Sequence, residues 1–196
     1  MKKVLNVGGN NNNIALPSCY IGWKQTLLDI DPRGEPDIVL DARELSQLPP
    51  CEYDAVYCSH NLEHYYRHDG SKVLAGFLHV LKEDGFAHVV VPDIGKLMRV
   101  VVKKGMDIDD FLYESAIGPI TVRDVLYGYG LEIQRSGNDF YAHKTGFTER
   151  ALNAMLKECG FSHVFVGSSK LDIIAFAFKR KPGDAVIRLL ELPPLA

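Results

Sequence analysis

Residues 58–65 read Cys-Ser-His-Asn-Leu-Glu-His-Tyr, placing His60, Glu63 and His64 within five positions. Two imidazoles with a carboxylate between them are the side chains of a metal centre or of an acid–base site. The pattern H-x-x-E-H is a zinc-binding arrangement in which both histidines project from one helix face beside a glutamate base. That chemistry requires a third ligand and a long amphipathic helix around the motif. Here the motif instead follows an apolar run, residues 53–58, that reads as a strand. The expectation is therefore no metal. His64 either faces a cofactor or substrate or is a satisfied histidine at a helix start.

Three further places carry polar groups of the right type. Val4-Leu5-Asn6-Val7 runs into Gly8, Gly9 and the asparagines Asn10 to Asn13. Glycine lets backbone approach a ligand closely, and asparagine is the next most tolerant residue of left-handed geometry. Asp29 follows about 20 residues on, in LLDIDP, where an acid grips ribose hydroxyls in nucleotide-binding sheets. Asp41 and Ala42 end a third apolar run, and Asp41 is placed to accept a hydrogen bond from an exocyclic amine. Later in the chain stand Asp93, which caps a following helix or acts on a ligand, and Tyr141, His143 and Lys144 in GNDFYAHK.

The elements that hold these residues follow from hydrophobic patterning. Short apolar runs at residues 3–7, 26–30, 37–40, 54–58 and 86–91 are nearly continuous rather than alternating, the mark of parallel strands covered on both faces. Residues 71–83 and 149–159 have helical spacing, the second with Thr148 as N-cap and Gly160 as stop. Residues 163–166 and 171–179 read as an antiparallel hairpin. Strands alternating with helices predict a single α/β domain over residues 1–196, a Rossmann-like doubly wound sheet, mostly parallel with an antiparallel last strand. An inserted helical or irregular cap spans about residues 94–145, with helices over 94–104 and 109–117 and an aperiodic segment over 121–144. It follows a strand's carboxyl end, where such sheets bind ligands, and reads equally as a cap over a pocket or as a long surface excursion. Between the first two strands no amphipathic helix is legible, and G-x-G-x-x-G is absent. A dinucleotide site is therefore disfavoured.

Composition narrows the function classes. A chain of 196 residues with net charge -3 lacks the basic footprint of a nucleic-acid binder. No apolar run is long enough to span a bilayer, and Cys19, Cys51, Cys58 and Cys159 lie too far apart for a zinc or disulfide framework. A reduced, cytoplasmic setting is expected, with neither nucleic acid nor membrane as partner. The apolar tail, residues 185–195, fits either a partner surface or the chain's own core.

As an ordered set the motifs resemble class I S-adenosylmethionine-dependent methyltransferases, in the branch with a shortened first crossover. The matching stretches are LNVGGN, YIGW, LLDIDP, DARELSQLP, SHNLEHY, VLKEDG and VVVPD, followed by HKTGFTERALNAMLKECGF at residues 143–161. The resemblance implies S-adenosyl-L-methionine as cofactor. It implies that Gly8, Gly9 and Asn10 wrap its methionine part, Asp29 binds the ribose, Ile30 packs on adenine, and Asp41 with Ala42 recognises the adenine edge. Ser59, His60 and Asn61 would line the end near the transferable methyl. Asn10 stands where the family has a third glycine, which keeps open a catalytically degenerate binding or scaffolding module. The leading expectation is methyl transfer to a small-molecule or sugar-like acceptor, with His64 and His143 facing it from opposite walls as candidate catalytic groups.

Overall fold

The computed structural model describes residues 1–11, 14–115 and 118–194. Asn12 and Asn13, the last two residues of the helix expected at 109–117, and Leu195 of the tail lie outside the described residues. Five strands run parallel: β1 (Lys3–Val7), β2 (Lys24–Asp29), β3 (Ile38–Val39), β4 (Tyr53–Ser59) and β5 (Leu81–Pro92). Two more, β8 (His163–Ser169) and β9 (Asp172–Phe178), form a hairpin whose β9 pairs antiparallel with β5, giving the sheet order β3-β2-β1-β4-β5-β9-β8. The antiparallel strand is thus the last in sequence, although β8 occupies the edge.

Successive residues of each strand serve opposite faces. Leu5, Val56, Ala87 and Ala177 join one buried cluster with Val73, Leu74, Phe77 and Val80 of α1 (Arg67–Val80) and Leu152, Met155 and Leu156 of α5 (Glu149–Glu158). Their neighbours Val4, Ala55, Phe86 and Phe178 join the other, capped by Tyr20, Trp23 and the tail residues Val186, Leu190 and Leu192. The apolar tail therefore packs on its own core. α1 begins earlier than its apolar spacing suggests and passes straight into β5 at Leu81. Gly85 belongs to the irregular first part of β5 where the β4 register shifts.

Between β1 and β2 the described residues form only a single 3-10 turn, Ser18–Tyr20. Among the described residues β1 thus reaches β2 without a covering helix, and Gly8 follows it at the switch point where strand order reverses. The expected helix at residues 109–117 is corrected: Phe111–Ser115 is β6, paired antiparallel with β7 (Gly118–Thr121). Gly118 at φ 117° and Pro119 without an N–H do not continue a helix, and they open β7 opposite Ser115 and Glu114. The aperiodic segment resolves into α3 (Val122–Tyr127) and α4 (Gly130–Ser136). The Thr121–Asp124 capping box starts α3, and Gly137 in left-handed geometry ends α4. Leu97 of α2 (Ile94–Lys104), Ile120 and Val125 form a small core for this cap. Asp93 caps α2 by accepting Lys96 N–H at 2.9 Å, so its role is structural.

Candidate functional site

Two cavities open above the carboxyl ends of β1, β2 and β4, where ligands bind in such sheets. One, about 470 Å³, is lined by Gly8, Asp29, Ile30, Asp41, Asn61 and cap residues including Phe140 and Lys144. The other, about 940 Å³, lies under the cap between Pro92, Leu171 and Asp172 on the sheet side and Tyr113, Ile120, Val125 and Tyr129 opposite. Asn10, His60, His64 and Tyr141 line both, so the two cavities meet at these residues.

The smaller cavity has a tight backbone floor. Gly8 sits at φ 82°, and a Cβ there would meet Asn61 at 2.7 Å. Gly8 N–H donates to Leu28 C=O at 2.8 Å, tying the turn to β2. Asn61 Oδ1 is buried without a hydrogen-bond partner, an acceptor available to a bound cation or amine. Asp29 accepts Asp31 N–H at 2.8 Å, and burial holds its pKa above the usual carboxylate value. Asp41 is engaged by both Nε and Nη2 of Arg43 at 2.6–3.1 Å. Burial opposes ionisation of Asp41, but the Arg43 hydrogen bonds prevail and lower its pKa. Gly9, Ala42 and Ser59 do not line either cavity. A Cβ on Gly9 would collide with Asn6, the Ala42 side chain is in the core, and Ser59 lies against the Tyr57 phenol.

His60 stands at φ 49°, a costly conformation for a residue with a Cβ, at the end of β4. Its Nδ1 lies 3.4 Å from Glu63 Oε1 and its Nε2 3.7 Å from Asp172 Oδ1. Burial works against its charge, but these two acids raise its pKa. Glu63 is 1% exposed, and neither carboxylate oxygen has an aligned hydrogen bond. Burial alone would raise its pKa, yet His60, His64 and His143 together lower it. Leu62–His64 forms one 3-10 turn, so the long helix of a zinc-peptidase motif is absent, and His60 and His64 do not act as its pair.

His64 instead meets His143. Their rings are in edge contact with centroids 4.9 Å apart, so they stand side by side rather than on opposite walls. His64 Nδ1 bonds to Ala142 C=O at 3.2 Å and His143 Nδ1 to Val125 C=O at 2.9 Å. A carbonyl only accepts, so Nδ1 carries the proton in both rings and Nε2 keeps its lone pair. Burial lowers the His143 pKa. The third partner that the motif lacks in sequence is thus delivered by the cap.

A second cluster fastens that cap. Asp31, 4% exposed, accepts Arg33 Nε at 2.8 Å and Nη2 at 2.6 Å and the Tyr141 hydroxyl at 2.5 Å. Arg33 hydrogen bonds hold the Asp31 carboxyl well below the usual range, and burial with the Asp31 contact pushes the Tyr141 phenol up to about 12. Sequence reasoning named Tyr141 but missed Arg33 and Asp172. The signal for Arg33 was D-P-R-G, a proline-started turn that directs its arginine back onto the preceding acid.

No protein-family model matches the chain, and no curated protein matches it in sequence. Solved structures do match. A methyltransferase described as SAM-dependent, from Archaeoglobus fulgidus, superposes with TM-score 0.55 at 17% identity over 90% of this chain and 85% of its own. The fold is that of SAM-dependent methyltransferases. A possible histamine N-methyltransferase from Thermotoga maritima gives TM-score 0.56 at 14% identity, covering 92% of this chain and 83% of that one. The Burkholderia thailandensis 1,6-didemethyltoxoflavin-N1-methyltransferase, solved with S-adenosylhomocysteine, gives 0.52 at 16% identity, covering 89% and 69%.

Proposed function

We propose that the protein is an S-adenosylmethionine-dependent methyltransferase acting on a small-molecule or sugar-like acceptor. The observation that carries this reading is the junction of the two cavities at Asn10, His60, His64 and Tyr141, above the switch point of a methyltransferase fold. The residues of the smaller cavity suit the cofactor. Gly8, at φ 82°, lets Asn61 pack directly against the turn on the cavity lining, and the orphaned Asn61 Oδ1 is an acceptor for an ammonium group. Asp29 takes ribose hydroxyls, Ile30 offers an apolar face to adenine, and Asp41, held by Arg43, faces the adenine edge. Asn10, His60 and Asn61 border the methionine end.

The bound cofactor supplies an already activated methyl group. What the chain must contribute is a positioned nucleophile and a site closed to bulk water. Closure is the work of the cap, fastened by Tyr141 to Asp31 and by Lys144 N–H and Thr145 N–H to Glu63 C=O at 2.8 and 3.2 Å. The acceptor is held in the larger cavity against His64 and His143. Their Nε2 lone pairs are free to take its proton where the reaction releases one.

Incubation with methyl-labelled cofactor and pools of small amines, phenols and sugars tests the reading. Label is expected in one acceptor class, with His64→Ala and His143→Ala cutting turnover while S-adenosylhomocysteine affinity changes less than about threefold. Cofactor binding without transfer to any pool would instead favour the degenerate binding module that Asn10 suggests.

A further inference from the structure

Glu63 is buried among three imidazoles, the nearest being His60, whose Nδ1 stands 3.4 Å from Oε1 without hydrogen-bond alignment. Burying a carboxylate without aligned hydrogen bonds is costly unless a cation completes it. Both Glu63 oxygens lack such a bond although the side chain is 1% exposed. One of them lies 4.0 Å from His143 Nε2, and one ligand atom each from Glu63, His64 and His143 lie within 4.8 Å of one another.

The histidines are prepared in the manner of metal ligands. A ligating imidazole characteristically donates its other N–H to a backbone carbonyl or carboxylate, which fixes tautomer and ring orientation. His64 does this to Ala142 and His143 to Val125. Two backbone carbonyls on the cap therefore orient two imidazoles beside one buried carboxylate. Chain connectivity supports the same grouping, since Lys144 and Thr145 N–H both hold the Glu63 carbonyl and so fix His143 next to it.

We propose that Glu63, His64 and His143 bind one divalent first-row transition ion, of which zinc is the type, with free coordination positions open to the 940 Å³ cavity. Two imidazoles and a carboxylate suit such ions, whereas magnesium and calcium favour all-oxygen sets. Three protein ligands leave room for an exogenous oxygen. Ligand distances of about 2.0–2.2 Å bring ligand atoms to roughly 3.4 Å of one another, so the three groups draw together by about 1 Å on binding. His60 stands across the same carboxylate at 3.4 Å and remains outside the ligand set. The inference deepens the proposed function and rests on it only in what the ion faces: a hydroxyl or carboxylate oxygen of the acceptor. With an ion bound, the Nε2 lone pairs of His64 and His143 would hold it, and the ion rather than either imidazole would promote loss of the acceptor's proton.

Chelator-stripped protein is titrated with Zn²⁺ by calorimetry and with Co²⁺ by visible absorption. One equivalent is expected, with Glu63→Gln and His143→Ala each weakening binding at least tenfold and His68→Ala, whose side chain is 75% exposed, leaving it unchanged. No stoichiometric binding, or equal affinity in all four proteins, overturns the site. If the buried-site variants fail to fold by circular dichroism, zinc-edge X-ray absorption on the wild type decides: two imidazole ligands are expected, and fewer overturn it. S-adenosylhomocysteine binding, measured on the same stripped protein, separates the claims. Cofactor binding without metal uptake defeats only the ion, and metal uptake without cofactor binding defeats only the methyltransferase reading.

Discussion

Replacing Tyr141 with phenylalanine removes one hydroxyl from the clamp that fastens the cap. The lost bond runs from the phenol to a carboxylate that is 4% exposed, and hydrogen bonds to charged groups are worth about 1.5–3 kcal/mol. Arg33, whose side chain is 53% exposed, keeps its own bonds to Asp31, so the carboxylate is not orphaned. Partial solvation of that network lowers the expected cost to about 1–2 kcal/mol, or roughly a 5- to 30-fold larger open population of the cap. Hydrogen exchange resolves where this appears. Amides over residues 128–145 should lose protection by that factor, while β1, β4 and β5 keep theirs. The cost should also be non-additive with Asp31→Asn, with a coupling of at least about 0.5 kcal/mol. Unchanged protection in the cap, or loss spread evenly over the sheet, would refute the clamp.

Two other outcomes follow from buried groups. His88 is buried against Tyr20 and Phe176, and burial lowers its pKa to about 4 from an ordinary value near 6.5. A depressed histidine is neutral when folded but protonates readily when unfolded, so stability falls as pH drops through 6.5 and levels off near 4. The loss is about 3 kcal/mol, read as a falling denaturant midpoint, and His88→Phe should flatten most of it. Gly8→Ala adds a Cβ at φ 82° and within 2.7 Å of Asn61, so S-adenosylhomocysteine affinity should drop at least tenfold in calorimetry. Unaltered affinity would mean that the turn after β1 does not shape the cofactor cavity.

The sheet was legible because parallel strands are buried on both faces and so appear as nearly unbroken apolar runs such as Ala55–Cys58 and Val89–Val91. The same runs mark their own carboxyl ends, which is why Gly8, Asp29, Asp41 and His60 gather at one rim. The cap was less legible. Phe111 to Ser115 is too short for period alone to separate strand from helix, and its partner β7 is specified by Gly118 and Pro119 rather than by pattern. The Thr121–Asp124 capping box was a readable start signal for α3 inside a segment without period. The sequence reading brought His64 and His143 to one acceptor site but on opposite walls. Their direct contact was not readable, because His64 and its bonding partner Ala142 are 78 positions apart and backbone bonds of the cap set the contact. Gly9, Ala42 and Ser59 stand at the same strand ends but outside the two cavity linings.

The most direct test of the central claim is calorimetry of S-adenosylhomocysteine against wild type and Asp29→Ala, with NAD as the control ligand. The account predicts micromolar-range binding by the wild type, none of NAD, and a loss of about 1.5–3 kcal/mol in the variant, roughly tenfold to a hundredfold. Equal binding by the two proteins, or NAD binding as tightly as the adenosyl ligand, would contradict it.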